Sequence, residues 1–327
     1  MQFQAKGDEF MKKGDKKAKG SFFGNIMKGK SERADDALEC YKNALTQYKL
    51  AQNWELAAQA LLKMVDCDIA AQGGEAGDFY QEIANLYKKA NNSDYIKYLN
   101  KAVEVFCNDN RISQAARLQK QIGESYEQDF QYELAIKAYE EAAKLFYAEN
   151  DYAHDYLNMK LKVADLSIHK QSVDYIQCIK IYEEVAKKYC SNSLQAGSAK
   201  NLFIKCILLY LNLEDYVGAQ NALEKYENMS PQFQNTRQQK FLQQLIDCCD
   251  QGDIDQFSQA CFEYNKIIPL DNWQTAILTE IKSHVKPGPE GLVGKGQEQG
   301  LTQQLPFQEQ EKQEEHDPTQ GKGPDIF

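Results

Sequence analysis

Nine cysteines and four histidines have the strongest capacity in this chain for nucleophilic, acid–base or metal chemistry, and their spacing supplies none of it. The thiols at 40, 67, 107, 178, 190, 206, 248, 249 and 261 form no CxxC pair and fall on apolar faces of predicted helices. That is the pattern of reduced, buried cysteines rather than of a disulfide framework or a zinc site. His154, His169, His284 and His316 are isolated, and no base stands at a useful spacing from Cys206, the thiol best placed to be tested as a nucleophile. Walker, GxGxxG, HExxH and GxSxG signatures are missing. The acidic pairs Glu140-Glu141 and Glu183-Glu184 read as solvated helix faces. The expectation is a protein without catalytic site, metal or cofactor.

What remains is the chemistry of contact. In GSFFGNIMKGK, residues 20 to 30, Phe22, Phe23, Ile26 and Met27 stand on a glycine-bracketed loop, where water penalises an exposed apolar cluster unless a protein or a lipid covers it. Lys12, Lys13, Lys16, Lys17, Lys19, Lys28 and Lys30 flank the loop against Asp15 alone. Near an anionic leaflet each adds about 1 kcal/mol, so the segment is expected to be a reversible membrane-attachment loop. An alternative packs the two phenylalanines under the first helix as core. No apolar run reaches signal-peptide or membrane-spanning length, which predicts a cytoplasmic protein whose membrane contact is peripheral. A formal net charge of −10 argues against general nucleic-acid binding.

The elements that must position these groups are helices. Between residues 34 and 286 only Pro231 and Pro269 interrupt a pattern of apolar residues at three- and four-residue steps. One face carries Ala37, Tyr41, Ala44 and Tyr48; another carries Ala135, Tyr139, Ala142 and Phe146; a third carries Tyr175, Ile179, Tyr182, Ala186 and Tyr189. Breaks at AQNW, AQGGEAGD, ANNSD, CNDNR, EQDFQ, AENDY, HKQSVD, CSNS and NLEDY hold the Asn, Asp, Ser and Gly that end one helix and cap the next. They recur at about 20 residues, giving a two-helix period near 40. YEEAAKLF and YEEVAKKY, 43 residues apart, make the repetition explicit. The fold class is therefore all-α, a tetratricopeptide-like solenoid of antiparallel helical hairpins.

Four regions are expected: residues 1–33 as N-terminal helix and loop, 34–230 as the hairpin array, 231–286 as a C-terminal helical bundle, and 287–327 as a tail. The bundle would cover the open apolar end of the array. The tail holds five of the seven prolines and seven glycines, is acidic, and is expected to be mobile.

With array, FF loop and bundle in place, residues 1 to 286 resemble the alpha-type soluble NSF attachment proteins. The resemblance is carried by GSFFGNIMKGKSE, YKLAQNWELAAQA, AVEVFCNDNRISQAARLQKQIGESYE and PLDNWQTAILTEIK, in the family order. It implies a non-enzymatic adaptor that coats SNARE complexes, syntaxin-type and related helical bundles, in several copies and recruits the hexameric NSF ATPase. By position it implies SNARE-binding roles for Lys88, Lys89, Arg111, Arg117, Lys162 and Lys200, on a concave face, and ATPase-binding roles for Asp215, Asp247 and Asp250, with Asp253 close by. Two departures stand out. Asn158, with Lys160 nearby, occupies a place where the family tends to have Lys, and the chain continues about forty residues beyond the family's usual end to finish PDIF. A peptide-binding tetratricopeptide scaffold unrelated to fusion is the competing reading, though it has little use for FF flanked by lysines.

Overall fold

The structure is a computed structural model describing residues 2–19, 29–149, 154–170, 172–192 and 194–285, and every regular element among them is an α-helix. In order these are α1 (Gln2–Lys19), α2 (Lys30–Leu50), α3 (Trp54–Ala71), α4 (Ala76–Lys89), α5 (Tyr95–Asn108), α6 (Ile112–Gln128) and α7 (Tyr132–Glu149). Then follow α8 (His154–Ser167), α9 (Tyr175–Cys190), α10 (Ala196–Asn212), α11 (Tyr216–Met229), α12 (Arg237–Gln251), α13 (Ile254–Asn265) and α14 (Asn272–His284). The nine expected breaks all fall between helices. Phe22, Phe23, Ile26, Met27 and everything from residue 286 onward lie outside the described residues.

The turns explain why the chain doubles back so regularly. Gln52, Asn91, Asn110, Phe130, Glu214 and Gly252 adopt the left-handed conformation, with φ between 52° and 73°. The next N–H reaches back five residues, from Asn53, Asn92, Arg111, Gln131, Asp215 and Asp253 to the carbonyls of Tyr48, Tyr87, Phe106, Tyr126, Tyr210 and Cys248, at 2.7 to 3.0 Å. This closes the helix end in the Schellman manner. In three of these turns the residue making that bond also caps the following helix: Asn53, Asp215 and Asp253 accept from the backbone N–H of Leu56, Gly218 and Gln256. Two residues thus stop one helix and start another, which forces neighbours to run antiparallel.

The expected faces are the core. Ala37, Tyr41, Ala44 and Tyr48 are buried, as are Ala135, Tyr139, Ala142 and Phe146, and Ile179, Tyr182, Ala186 and Tyr189; Tyr175 alone is half-buried. Each large ring needs room for its body and a partner for its hydroxyl. Gly7 and Gly14 of α1 supply the room: a Cβ there would lie 2.6 Å from Tyr48 Cε1 and 2.5 Å from Tyr41 Cε1. Asp8 and Asp15, the next residues, accept the Tyr48 and Tyr41 hydroxyls at 2.8 Å each. The twice-repeated Gly-Asp at seven-residue spacing therefore docks α1 on a tyrosine pair at the same spacing.

Helix α2 runs through the boundary expected at residues 33/34. At the other end, Tyr182, Phe203, Leu242, Phe257 and Ile281 belong to one apolar cluster, so α12–α14 share their core with α9–α11. Helix α14 closes over the array: Trp273 meets the Tyr182 ring edge-on at 6.3 Å, and the Tyr175 hydroxyl donates to Glu280 at 3.2 Å.

Candidate functional site

Even-numbered helices are tied to one another by ion pairs. Lys49 of α2 pairs with Glu82 of α4, and Arg111, at the start of α6, makes a bidentate contact of 2.7 and 2.8 Å with Asp78 of α4. Lys162 of α8 pairs with Glu127 of α6 at 2.8 Å, and Lys205 of α10 with Asp165 of α8. The six cations singled out from the sequence belong to even-numbered helices or their caps: Lys88 and Lys89 end α4, Arg111 precedes α6, Arg117 is in α6, Lys162 in α8 and Lys200 in α10.

Their environments differ. Arg111 is held between Asp78 and the Phe106 ring, 4.3 Å from its centroid, and the Asp78 hydrogen bonds raise its pKa further. Lys162 is spoken for by Glu127, which also accepts the Tyr139 hydroxyl at 2.6 Å. These two cations brace neighbouring helices, and their charge is largely compensated. Lys88 and Lys89 are exposed and lie over the rings of Tyr95 and Trp54, 5.8 and 5.2 Å from the centroids, which steadies the ammonium groups without neutralising them. Arg117 is exposed and Lys200 half-exposed, and neither has an ion-pair partner among the described residues. Lys160, beside the departure at Asn158, is paired with Glu184 of α9.

The acidic set lies in the C-terminal helices of the described chain. Asp247 and Asp250 are exposed in the last turn of α12, and Asp253 begins α13 three residues on. Asp215 sits at the turn before α11, and burial, with the charges of Glu214 and Asp250 among the causes, raises the pKa of its neighbour Tyr216. Two of the four carboxylates have structural work: Asp215 and Asp253 are helix caps, at 2.8 and 2.9 Å. Asp247 accepts from Gln243 at 2.9 Å.

Lysines of α1 that precede the apolar segment at residues 20–30 are exposed at 12, 13, 16, 17 and 19. Lys13 pairs with Glu9 at 2.7 Å and Lys17 donates to the Asp36 carbonyl, while Asp15 is turned to Tyr41. The outward strip is thus cationic.

Sequence reasoning missed an aromatic row. Trp54, Tyr95, Tyr132, Tyr175 and Tyr216 are each the first residue of an odd-numbered helix. Contacts join successive turns along that edge, Trp54 with Lys89 and Tyr132 with His169, whose rings stack at 4.4 Å. The signal was present as Tyr48, Tyr87 and Tyr126, spaced by 39 residues and each just upstream of such an aromatic.

Burial holds several of the thiols in the protonated form. Cys206 is fully buried, and burial pushes its pKa up to about 12; Cys178 is pushed to about 11. Among the described residues no group of His, Cys, Asp and Glu is arranged to hold a metal ion, and no helix is long and apolar enough to cross a membrane.

The profile of the family described as "Soluble NSF attachment protein, SNAP" matches residues 5–286. A vesicular-fusion protein SEC17 of Komagataella phaffii is 33% identical over 287 residues, covering 86% of this chain and 96% of that protein. An alpha-soluble NSF attachment protein of Dictyostelium discoideum is 33% identical over 88% of this chain and 99% of its own length. The mouse protein of the same name is 30% identical over 88% of this chain and 98% of its own.

Proposed function

The chain belongs to the soluble NSF attachment protein family, and from that membership we propose that it is an adaptor in vesicle fusion that grips assembled SNARE bundles and recruits the NSF ATPase to separate them. The observation that carries this reading is the family match over residues 5–286, which spans nearly all of the described helices.

In this reading Lys88, Lys89, Arg117 and Lys200 meet the acidic surface of the SNARE rod directly. Arg111 and Lys162 contribute by fixing α6 against α4 and α8 against α6. Exposed ion pairs are worth about 0 to 1 kcal/mol each, so grip comes from several together and from more than one copy around the rod. Phe22, Phe23, Ile26 and Met27 enter the bilayer interface while the α1 lysines face anionic headgroups, a contact weak enough to reverse. Asp215, Asp247, Asp250 and Asp253 present one sign of charge to basic modules of the ATPase, which speeds encounter more than it deepens affinity.

The experiment is disassembly of a SNARE complex by the ATPase with ATP, with and without this protein. Full dependence on the chain is expected, and disassembly at the same rate without it would overturn the reading. Arg117→Glu with Lys200→Glu should abolish pull-down of the assembled complex while helicity is retained, since neither side chain braces the fold. Liposome co-flotation of the Phe22→Ser, Phe23→Ser chain should fall; unchanged flotation would remove the membrane role of the loop.

A further inference from the structure

The turn between α6 and α7 spends backbone energy to display a phenyl ring. Phe130 is left-handed, with φ of 56°, where an L side chain with a bulky ring is strained, and the ring is 75% exposed. The equivalent positions in neighbouring turns hold Gln52, Asn91, Glu214 and Gly252. Phe130 meets Tyr132 edge-on at 6.3 Å, Tyr132 stacks on His169, and Leu134 in the first turn of α7 is also exposed. The result is an apolar, aromatic patch in solvent on the edge whose next turn carries Lys88 and Lys89.

The chain itself contains a matching segment. Helix α14 brings Glu280 against Tyr175 at the start of α9, so the chain leaves Val285 beside the α8–α9 turn, one hairpin from the patch. A further 42 residues follow in the sequence, among them Leu305-Pro306-Phe307 and then Glu309, Glu311, Glu314, Glu315 and Asp317 against Lys312. Twenty residues of flexible chain span about 25 Å on average. Neighbouring helices lie about 8–10 Å apart, so both the patch and the α4 turn are within reach. Charge sets the direction: the α10–α13 turns hold Asp215, Asp250 and Asp253 and repel an acidic strand, while Lys88 and Lys89 attract it.

We propose that this C-terminal segment is an intramolecular occupant of the turn edge, Leu305-Pro306-Phe307 covering Phe130, Tyr132 and His169, with the acidic run directed toward Lys88 and Lys89. Pro-flanked apolar residues on an aromatic platform are a common mode of peptide recognition. Only the consequence, competition with an acidic SNARE rod for those lysines, rests on the function proposed above.

The test puts p-benzoylphenylalanine in place of Phe307 in the full chain, irradiates it at micromolar concentration and maps the crosslinks by mass spectrometry. Crosslinks within one chain to residues 129–134 or 168–170, falling several-fold with Phe130→Asn, are expected. Crosslinks mainly between chains, crosslinks scattered over the surface, or a yield unchanged by Phe130→Asn would overturn the proposal. The outcome is independent of SNARE binding, so it separates failure of the docking from failure of the functional reading.

Discussion

Lys162 of α8 places its ammonium 2.8 and 3.0 Å from the two carboxylate oxygens of Glu127 in α6, and the Tyr139 hydroxyl of α7 donates to the same carboxylate at 2.6 Å. The arrangement recurs with Asp165, which accepts from Tyr182 at 2.6 Å and from Lys205. Both the tyrosines and the lysines are 43 residues apart, so the sequence period is also a period of polar bracing. One acid joins three consecutive helices in each case.

The two halves of the brace differ in worth. Tyr139 is fully buried, so losing its acceptor leaves an unsatisfied hydroxyl, whereas Lys162 is about half exposed and solvent screens its attraction. Glu127→Ala should lower unfolding stability by about 1–2 kcal/mol and Lys162→Met by less than about 1 kcal/mol. Urea denaturation ranks them; equal losses would mean that the ion pair, not the tyrosine, holds the site together.

Docking of α1 depends on two glycines. A Cβ at Gly14 would press on the Tyr41 ring at 2.5 Å, and that ring cannot retreat because its hydroxyl is held by Asp15. Gly14→Ala should weaken the α1–α2 contact by about 1–3 kcal/mol. Limited proteolysis should then cut within α1 before the rest of the chain, while Lys12→Gln leaves the pattern unchanged. Early cleavage in both, or in neither, would count against the packing.

Much of this was legible in the sequence, and the reason is repetition. A buried Ala-and-Tyr stripe recurring with a break about every 20 residues leaves little freedom in fold class. Which cations remain available to a partner was not legible, because that depends on cross-helix distances. Arg111 and Lys162 look like Lys88 and Lys89 in one dimension, and only the approach of Asp78 and Glu127 from neighbouring helices separates them. Phe130 escaped notice for a similar cause: a lone Phe inside EQDFQ is unremarkable until its φ and exposure are known.

Two of the four acidic residues proposed to meet the ATPase also hold the fold. Asp215→Ala and Asp253→Ala remove side-chain caps and should cost about 0.5–2 kcal/mol each. Asp250→Ala, at an exposed site whose side chain makes no hydrogen bond among the described residues, should stay within about 0.5 kcal/mol of the parent. Thermal unfolding of the three single variants checks the division. A loss at Asp250 equal to that at Asp215 would mean that Asp250 is structural as well; a smaller loss leaves Asp250 as the position at which the proposed ATPase contact is best probed.

Alkali should unfold the protein through its buried acids. Cys178, Cys206, Cys249 and Cys261 are pushed from an ordinary value of 9.0 up to about 11, 12, 12 and 12 by burial, and burial with carboxylate contact raises Tyr139 and Tyr182 further. Above pH 9 the unfolded chain gives up these protons first, so the folded state binds more of them and stability falls with rising pH. The contribution is complete below pH 9 and is lost progressively toward 12. The urea midpoint should be flat between about pH 7 and 8.5 and then drop steeply. A midpoint that holds to pH 11 would show that these groups already titrate in the folded chain.

The strain at Phe130 gives the last prediction. A left-handed residue with a β-carbon costs roughly 1–2 kcal/mol, and Asn bears that conformation more easily than Phe. Among the described residues the exposed ring recovers little of this, its aromatic contact there being Tyr132 at 6.3 Å. In a chain ended after Val285, where the proposed tail contact is removed, Phe130→Asn should therefore raise stability by about 0.5–1 kcal/mol, with an unchanged denaturant slope because the same surface is buried. Urea titration of the pair decides it. A gain would mean that the turn carries its phenyl ring at the expense of the fold; a loss would mean that stacking around Tyr132 and His169 is what the ring serves.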